Sequence, residues 1–563
     1  MTALSPQQKK VISLQINGKK VETEEGSLLL HLLPLAEEMN NKPPIVGAKY
    51  NNLIVDLYTE VNEDGIVEFL DLSSEDGLRI YRQSLVFLLS RAFYELFPQT
   101  KIQVEHSLNK NYYCEIEGLD KVSSLDLQAL EAKMREYVAA DEPIIPQTLS
   151  RKTALDILSA YGYEEKVTLL ENLDLAEIKL YTVGSYYDYS YSVLAPSTGL
   201  LKVFRLQPYA KGFLLMFPAA NDYRKVAPYT PLPKLAQIFR ESESWLDILG
   251  IRNLSGLINL LKRGEDEAVS LIHVAEALHE KKIAQIADQI YQHHQRLRLI
   301  LIAGPSSSGK TTFAQRLAIQ LKVLGLRPIS ISMDDYFVDR EHTPRDEKGD
   351  YDFEAVEAVD LHLFNEDLRC LIAGEQVECP IYNFQTGSRE PKGRILQVEE
   401  GHPIIIEGIH ALNERVTASI KRENKYKIYI SALTQINIDN SNRVPTTDVR
   451  LIRRIVRDSS YRGQSALETL NRWASVRQGE EMNIFPFQEE ADIMFNSALI
   501  YELGVLKKHA YEHLEKVARD EPEYATAQRL LTLLSYFPEI DDKAVPLNSI
   551  LREFIGGSSI HGN

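Results

Sequence analysis

Cysteine is scarce in this chain, and long apolar runs are absent from it. The 563 residues include three cysteines, Cys114, Cys370 and Cys379, which lie far apart in the sequence. This excludes a disulfide-built scaffold and favours reduced thiols. No apolar run approaches the roughly 20 residues of a membrane-spanning helix, and the first residues lack a signal-peptide core. We therefore predict a cytoplasmic protein without a membrane partner.

Positive charge is also in short supply. There are 63 lysines and arginines against 80 aspartates and glutamates, which gives a formal net charge of −17. This balance opposes indiscriminate attraction to nucleic acid or to an anionic membrane, although local basic patches are compatible with it. The apolar share of 44% is ordinary for a globular protein, and the length exceeds what a single hydrophobic core serves. Several domains are expected.

The most informative segment of the sequence is a phosphate-binding pattern near residue 300. An apolar run, Leu299 to Ala303, is typical of a strand buried on both faces, and it leads through GPSSSGKT into a helix-like segment. In such a P-loop, backbone N–H groups curl around phosphate oxygens, Lys310 reaches the terminal phosphates and Thr311 offers its hydroxyl to Mg²⁺. A chance match in a small-residue turn is the alternative. The predicted nucleotide-binding residues are Gly304, Ser306, Ser307, Ser308, Gly309, Lys310, Thr311 and Thr312.

Carboxylates follow two further predicted strands. Asp334 comes after the strand PISIS, and Glu407 comes directly after a run of isoleucines. Such strand ends are where open α/β sheets bind ligands, and Glu407 is a candidate for water-mediated Mg²⁺ binding. Further along, Arg450, Arg454 and Arg457 recur at helical spacing on one face. The alternative for the acidic positions is that they are solvated turn residues.

Five ordered motifs make a resemblance specific. They are GPSSSGKTT, a DDYF strand end, PIYNF, IIIEGIHAL and RLIRRIVRDSSYRG, and they lie within residues 296–515. In this combination the segment resembles the uridine kinase/phosphoribulokinase family of P-loop kinases. The whole layout is also similar to a bacterial nucleoside kinase group with synthetase-like N-terminal domains. The resemblance implies ATP and Mg²⁺ as cofactors and a nucleoside as the acceptor.

The resemblance also implies a role for each matching residue. Asp334 matches the general base that is aimed at the nucleoside 5′-hydroxyl, and whether Asp352 shares in holding the nucleoside is left open. The implied catalytic residues are Asp334, Lys310, Arg457 and Arg462. The implied substrate residues are Glu354, Tyr382 and Arg454. The implied Mg²⁺ ligands are Thr311, Asp334 and Glu407.

Two positions depart from the uridine kinase pattern. Gly387 stands where those enzymes carry a histidine that helps to read the pyrimidine, and Gln464 replaces an arginine of the lid. Losing a hydrogen-bonding side chain at a base-reading site changes discrimination strongly. These two departures leave the prediction of kinase chemistry unchanged. They leave the preferred base of the nucleoside open.

The first 75 residues are predicted to form a β-grasp module. Two strand patterns flank Asn17-Gly18, a strong hairpin signal, and a leucine-rich helix is expected from Ser27, shortened or kinked by Pro34. Further strands are expected on either side of the turn Asp64-Gly65. The arrangement resembles the TGS domain at the front of threonyl-tRNA synthetases.

Residues 76–230 resemble the second N-terminal domain of threonyl-tRNA synthetase, which is an editing site there. Gln83 and Phe87 stand at the HxxxH positions, and Ser190 and Leu194 replace the Cys and His. Since neither Phe nor Leu can bind a metal or transfer a proton, we predict that editing is lost. Nearby tyrosines are expected to pack in the core, with an aromatic cleft for a nucleotide or an RNA end as the alternative. They are Tyr112, Tyr113, Tyr181, Tyr186, Tyr187, Tyr189 and Tyr191.

The predicted fold is α/β and multidomain. A β-grasp plus α+β N-terminal half is followed by a helical connector, residues 231–295, whose histidines are expected on solvated faces. A P-loop kinase domain with a parallel sheet covers residues 296–515, and a helical tail covers residues 516–563. The apolar stripe of the tail (Ile550, Leu551, Phe554, Ile555) is expected to dock on the kinase domain.

Three hypotheses for the function remain at this point. The first is an ATP-dependent nucleoside kinase with a synthetase-derived N-terminal region. The second is an RNA- or tRNA-sensing NTPase switch, which the TGS-like architecture favours and the acidic balance opposes. The third keeps the kinase but exchanges the nucleoside for a sugar phosphate. A homo-oligomer is left open.

Overall fold

Most of the chain is described by the structure, a computed structural model. It covers residues 10–36, 43–98, 100–119, 121–219, 222–345, 349 and 351–560. Within those ranges, no helix has both the length and the apolar character that crossing a membrane requires. The three cysteines are free thiols, as their spacing predicts.

The first module is a five-stranded sheet that covers one short helix. The sheet order is β2-β1-β7-β4-β5, with β1 and β7 parallel at its centre. Ile12, Leu14 and Val67 fill the apolar core beneath it. This is a β-grasp arrangement. The elements are β1 (Val11–Ile16), β2 (Lys19–Glu24), β3 (Ser27–Leu28), α1 (Leu33–Ala36), β4 (Ile45–Tyr50), β5 (Leu53–Val55), β6 (Glu60–Val61) and β7 (Gly65–Asp71).

The predicted hairpin at Asn17-Gly18 is confirmed, but the prediction that a helix begins at Ser27 is wrong. Asn17 and Gly18 both have positive φ, as a two-residue hairpin turn requires. Ser27 does not begin a helix, because it pairs with Val61 in the β3–β6 ladder. Only a 3-10 turn and the four residues of α1 follow, and the predicted continuation over residues 37 and 38 lies outside the described residues.

The second region packs two antiparallel sheets around the long helix α2. Their orders are β13-β14-β9-β8 and β10-β11-β12. Tyr181 and Tyr186 lie in the shared core, as the packing interpretation predicts. The elements are α2 (Glu75–Leu96), β8 (Ile102–Leu108), β9 (Asn111–Ile116), α3 (Ser124–Ala140), β10 (Ile145–Ser150), α4 (Arg151–Ala160), α5 (Glu164–Glu171), β11 (Glu177–Val183), β12 (Tyr186–Tyr189), β13 (Arg205–Tyr209), β14 (Gly212–Met216), β15 (Pro218–Ala219) and β16 (Asp222–Val226).

Three connecting helices follow: α6 (Pro233–Leu249), α7 (Leu254–Leu261) and α8 (Glu265–Tyr291). His273 and His293 are exposed as predicted, but the same prediction is wrong for His279. The His279 side chain is fully buried, with Nε2 at 3.1 Å from the carbonyl oxygen of Ala498. Burial lowers the pKa of His279 to about 3, so this side chain is a neutral part of the core.

The C-terminal region has a five-stranded parallel sheet of order β18-β23-β17-β24-β25. Parallel strands bring their carboxyl ends to one edge of the sheet. The elements are β17 (Leu299–Ala303), α9 (Lys310–Val323), β18 (Ile329–Ser332), α10 (Leu361–Ile372), β19 (Val377–Cys379), β20 (Tyr382–Asn383), β21 (Ser388–Arg389), β22 (Arg394–Leu396), β23 (Ile404–Glu407), β24 (Lys425–Ser431), α11 (Thr446–Tyr461), α12 (Ala466–Asn483), β25 (Ile493–Asn496), α13 (Glu502–Glu515), α14 (Tyr524–Tyr536) and α15 (Arg552–Ile555).

The connector and the tail are packed into this C-terminal core. One apolar cluster contains Ile283 and Ile286 of α8, Phe313 of α9 and the tail residues Ile550 and Phe554. The tail therefore docks on the kinase-like region, as its apolar stripe predicts.

A loop of the C-terminal region packs against Gln83 and against the buried Lys166–Asp188 ion pair. The Gln83 side chain donates to Asn442 Oδ1 at 3.0 Å. Lys166, which forms a buried ion pair with Asp188, also donates a hydrogen bond to Ser441 Oγ at 2.8 Å. Residues Ser441 and Asn442 therefore join the two halves of the chain beside Gln83, one of the positions at which the sequence predicts that editing is lost.

Candidate functional site

The P-loop lies between β17 and α9 in a sharply curled conformation. A Cβ on Gly304 would be 2.0 Å from the carbonyl oxygen of Ile430, so only glycine fits there. Ser307 and Gly309 have positive φ values of 59° and 81°. These two left-handed residues curl the backbone that the sequence predicts to surround phosphate oxygens.

Lys310 points back into this loop. Its Nζ donates to the carbonyl oxygens of Gly304 at 3.0 Å and Pro305 at 3.3 Å. Burial lowers the pKa of Lys310, while the nearby carboxylates of Glu407 and Asp334 act in the opposite direction. The lysine is therefore held at the loop by two carbonyl oxygens and lies near the carboxylates of Glu407 and Asp334.

Two of the three predicted Mg²⁺ ligands are in contact. Glu407 Oε1 accepts hydrogen bonds from Thr311 Oγ1 at 3.3 Å and from Ser332 Oγ at 2.9 Å. Burial, and then the charge of Asp334, raise the pKa of Glu407 to about 7. Burial also raises the pKa of Asp334. For both carboxylates, burial outweighs the attraction of the nearby positive charges.

This oxygen-rich set fits Mg²⁺, which binds through one or two carboxylates together with phosphate oxygens and water. The described residues contain no group of three or more His, Cys, Asp or Glu that would hold a metal ion unaided. A cation at Glu407 therefore depends on the hydroxyl of Thr311 and on the phosphates of a nucleotide.

Arg450, at the start of the predicted arginine face, supports the loop. It is fully buried, its Nε donates to the carbonyl oxygen of Ser306 at 3.0 Å, and it pairs with Glu480. Arg453, which was not predicted, has the same kind of place. It donates to the carbonyl oxygen of Ser307 at 3.3 Å and pairs with Glu502.

The three predicted lid arginines share one carboxylate. Asp458, fully buried, contacts Arg454 at 3.2 Å, Arg457 at 3.5 Å and Arg462 at 3.2 Å. Arg454 also donates to Ser306 Oγ at 2.9 Å. Burial and the neighbouring Arg457 lower the pKa of Arg462 to about 10. Three guanidinium groups around one carboxylate leave excess positive charge beside the P-loop.

Aromatic residues form one wall of the site, called the aromatic wall below: Phe337, Tyr382 and Phe384. The ring centroid of Tyr382 lies 5.6 Å from that of Phe337 and 5.1 Å from that of Phe384. Arg462 stands 5.9 Å above the Phe384 ring, which joins this wall to the lid. The Tyr382 hydroxyl is buried without a hydrogen-bond partner among the described residues.

Glu354 lies between the lid and the P-loop. Burial raises its pKa to about 7, while the charges of Arg454 and Lys310 oppose the shift. Asp352, whose role the sequence leaves open, accepts a hydrogen bond from the Glu354 backbone N–H at 3.0 Å. It positions the turn that carries Glu354.

An arginine occupies the space beside Gly387. Gly387 has a φ of 73°, and a Cβ there would be 2.6 Å from Arg340 Nε. Arg340 Nη2 donates to the carbonyl oxygen of Phe384 at 3.0 Å. The place of the expected histidine is therefore taken by a guanidinium group, which the sequence motifs did not predict because Arg340 belongs to a different loop.

Two carboxylates bind the P-loop amides. Glu480 Oε1 accepts from the Ser306 backbone N–H at 3.0 Å. Glu553 Oε2, from the tail, accepts from the backbone N–H of Thr312 at 3.3 Å and from its Oγ1 at 2.7 Å. Neither carboxylate lies in a recognisable motif, so both were missed.

Comparison with known proteins places this site in a family. Residues 299–500 match the sequence profile described as "Phosphoribulokinase / Uridine kinase family". This segment is a phosphoribulokinase/uridine kinase family domain. Together with the threonine–tRNA ligase relatives of the N-terminal half, it confirms the combined architecture that the motifs predict.

The relatives cover only parts of the chain. Threonine–tRNA ligase of Syntrophomonas wolfei is 30% identical over 207 residues, which are 36% of this chain and 32% of the ligase. The chain thus spans about a third of the length of that curated relative.

Solved structures of kinases match part of this chain at low identity and with low TM-scores. A "Possible Uridine Kinase" from Bacillus stearothermophilus is 21% identical, with 38% of this chain and 98% of that chain covered and a TM-score of 0.27. D-glycerate 3-kinase from Cryptococcus neoformans is 14% identical, with 45% and 87% covered and a TM-score of 0.23. Similarity at this level carries no argument about the acceptor.

Proposed function

We propose that the protein is a nucleoside kinase that transfers the γ-phosphoryl group of ATP to the 5′-hydroxyl of a nucleoside. The observation that carries the proposal is the arrangement at the carboxyl edge of the parallel sheet. There the P-loop lysine and the carboxylates of Asp334 and Glu407 face the arginine cluster around Asp458, next to an aromatic wall.

In this reaction the acceptor oxygen forms a bond to the γ-phosphorus as the bond to the ADP oxygen breaks. Asp334 accepts the hydroxyl proton, and Lys310, Arg457 and Arg462 stabilise the charge on the transferring group. Thr311 and Glu407 would hold Mg²⁺, which neutralises charge on the β- and γ-phosphates when bound. Positioning and charge neutralisation provide most of the catalysis in phosphoryl transfer.

The aromatic wall supports a nucleoside acceptor. Tyr382, Phe337 and Phe384 present ring surfaces on which a planar, uncharged base stacks. Glu354 provides a half-buried carboxylate for ribose hydroxyls. Arg340 favours one second candidate, a sugar-phosphate kinase, because a guanidinium group binds a phosphate as well as it binds a base edge.

An acceptor screen tests the proposal. The full chain with Mg-ATP is incubated with uridine, cytidine, adenosine, guanosine and inosine, and separately with ribulose 5-phosphate, and the products are identified by mass. We expect a nucleoside 5′-monophosphate together with equimolar ADP. Turnover of ribulose 5-phosphate alone would replace the proposal with the second candidate, and no product from any acceptor would refute both.

Arg340 is expected to determine acceptor affinity. Changing Arg340 to alanine removes the charge-assisted hydrogen bond that its guanidinium group is proposed to make to the acceptor. KM for the acceptor should therefore rise about ten-fold or more, and kcat should change less. Steady-state kinetics with the best acceptor of the screen measure the split. Arg369→Ala, at an exposed position on α10, is the matched control. An unchanged KM in Arg340→Ala would remove Arg340 from the acceptor site.

Glu553 is expected to compete with the nucleotide. Its carboxylate holds the Thr312 amide and hydroxyl, which a P-loop uses for phosphate. Glu553→Gln keeps the shape and removes the negative charge, so KM for ATP should fall by about ten-fold. Glu539→Gln, at an exposed tail position, should leave KM unchanged. Equal KM values in all three proteins would show that Glu553 does not oppose ATP binding.

A further inference from the structure

A cavity of about 530 Å³ lies where the two halves of the chain and the tail meet. Its walls are β5 and α2 of the N-terminal half, the first turn of α11, part of α12, and α14 of the tail. The volume is in the range that binds small organic molecules. None of its lining residues belongs to the P-loop or to the aromatic wall.

The cavity is positively charged. Six of its described lining side chains are basic and three are acidic, which gives +3 in a chain whose net charge is −17. Three of the basic groups, Arg79, Arg82 and Arg529, come from helices of different regions. Arginines that converge from separate elements are typical of sites for phosphates and carboxylates.

Polar atoms in the cavity wall lack partners. The Asp448 side chain belongs to a residue only 2% exposed, and its Oδ1 has no hydrogen-bond partner among the described residues, while Oδ2 accepts from Arg529. Arg82 Nε and Arg529 Nε are unpaired in the same way. Buried polar atoms are nearly always paired in folded proteins, so an unpaired acceptor beside unpaired donors points to a missing ligand.

The wall also suits a planar group. α11 begins here without a side-chain cap, so the positive end of its dipole lies at the cavity, which Thr446 and Thr447 line. Tyr112 and Tyr191 also line the cavity, together with Leu78. An anion that carries hydrogen-bond donors and a flat apolar part matches all of these groups.

We propose that this cavity is a second ligand site, which takes a free nucleotide through its phosphate and regulates the P-loop. The coupling runs through α11. Asp448 and Thr447 in its first turn line the cavity, and Arg450 and Arg453 further along contact the backbone of the P-loop. A ligand that holds the first turn of α11 therefore biases the loop, and ATP affects the ligand to the same extent in return.

Binding is tested on the full chain by calorimetry with AMP, GMP, UMP and CMP as probes. At least one probe should bind at a site that Arg82→Gln weakens ten-fold or more. The Nε of this arginine has no hydrogen-bond partner among the described residues, so its loss should spare the fold. Gln528→Trp, which fills the cavity from α14, should abolish the same binding. Lys152→Gln, at an exposed position on α4, is the control.

The outcomes separate this site from the active site. Probe binding that neither cavity variant changes would assign the probe to the kinase site and overturn the proposal. Arg82-dependent binding of bulk tRNA without binding of any monophosphate would overturn it in favour of RNA.

Regulation is tested separately. The probe should change KM for ATP at least three-fold in the native chain and not in Arg82→Gln, and an unchanged KM would overturn the regulatory part. The regulatory part rests on the proposed kinase function. The calorimetric part does not, so a chain that binds the probe but lacks kinase activity would refute the kinase proposal alone.

Discussion

Replacing Asp334 with asparagine should lower kcat for phosphoryl transfer by about a thousand-fold and leave the fold intact. Asparagine has the shape of aspartate but cannot accept the acceptor's proton. Asp334 is the carboxylate that feels the charges of Lys310, Arg462 and Arg457 together, so it faces both the P-loop and the lid. No other described carboxylate combines this position with the end of β18.

The stability of the same variant gives an independent reading. Burial raises the pKa of Asp334 above its ordinary value. Between the ordinary pKa of Asp334 in the unfolded chain and its raised pKa in the folded protein, the folded protein binds more protons than the unfolded chain. The free energy of unfolding therefore falls as pH rises through this range. Asp334→Asn removes this loss. In Mg²⁺-free buffer its Tm should equal or exceed that of the native chain, and the gain should increase from pH 4 upward.

Asp335 provides the matched control at the next position. Its carboxylate contacts Arg394 at 3.0 Å and the Tyr382 amide at 3.5 Å, on the side away from the P-loop lysine. Asp335→Asn should change kcat by less than about ten-fold. If the two variants lose activity equally, or if Asp334→Asn keeps its kcat, Asp334 is not the general base.

Local patterns explain which parts of the site the sequence could predict. The P-loop, Asp334 and Glu407 each follow a strand of continuous apolar residues, and parallel pairing brings the three strand ends to one edge. The arginine spacing likewise follows from the 3.6-residue period of α11. These residues are defined by their neighbours in sequence.

The missed residues depend on packing between distant segments. Arg340 reaches Gly387 from another loop, and Glu553 reaches Thr312 because the apolar tail docks on α9 and α11. Ser27 failed as a helix start for the same reason, since the ladder with Val61 outweighs the local preference of a leucine-rich segment. No short-range pattern contains this information.

The arginines of α11 divide into two kinds by their surroundings. Arg453 is completely buried, pairs with Glu502 and donates to the carbonyl oxygens of Ser497 and Ser307. Arg457 contacts Asp458 at 3.5 Å, and its Nε has no hydrogen-bond partner in the described chain. The same residue type therefore has a structural role in one place and an available charge in the other.

Arg453→Met should lower the free energy of unfolding by about 3–5 kcal/mol, because it leaves the Glu502 carboxylate buried without its partner. Arg457→Ala should change that free energy by less than about 1 kcal/mol and lower kcat by about a thousand-fold. Urea denaturation and steady-state kinetics on both variants measure the contrast.

The double variant Arg453→Met with Glu502→Leu separates pairing from packing. Since a buried ion pair exchanged as a whole for apolar residues costs little, the double variant should regain most of the stability that Arg453→Met loses. It should not regain full activity, because the P-loop carbonyl of Ser307 still lacks its donor. Two outcomes would contradict the assignment of Arg457: a loss of stability as large as that of Arg453→Met, or an unchanged kcat. Either result would make the arginine cluster around Asp458 a structural network and not a clamp for the transferring phosphoryl group.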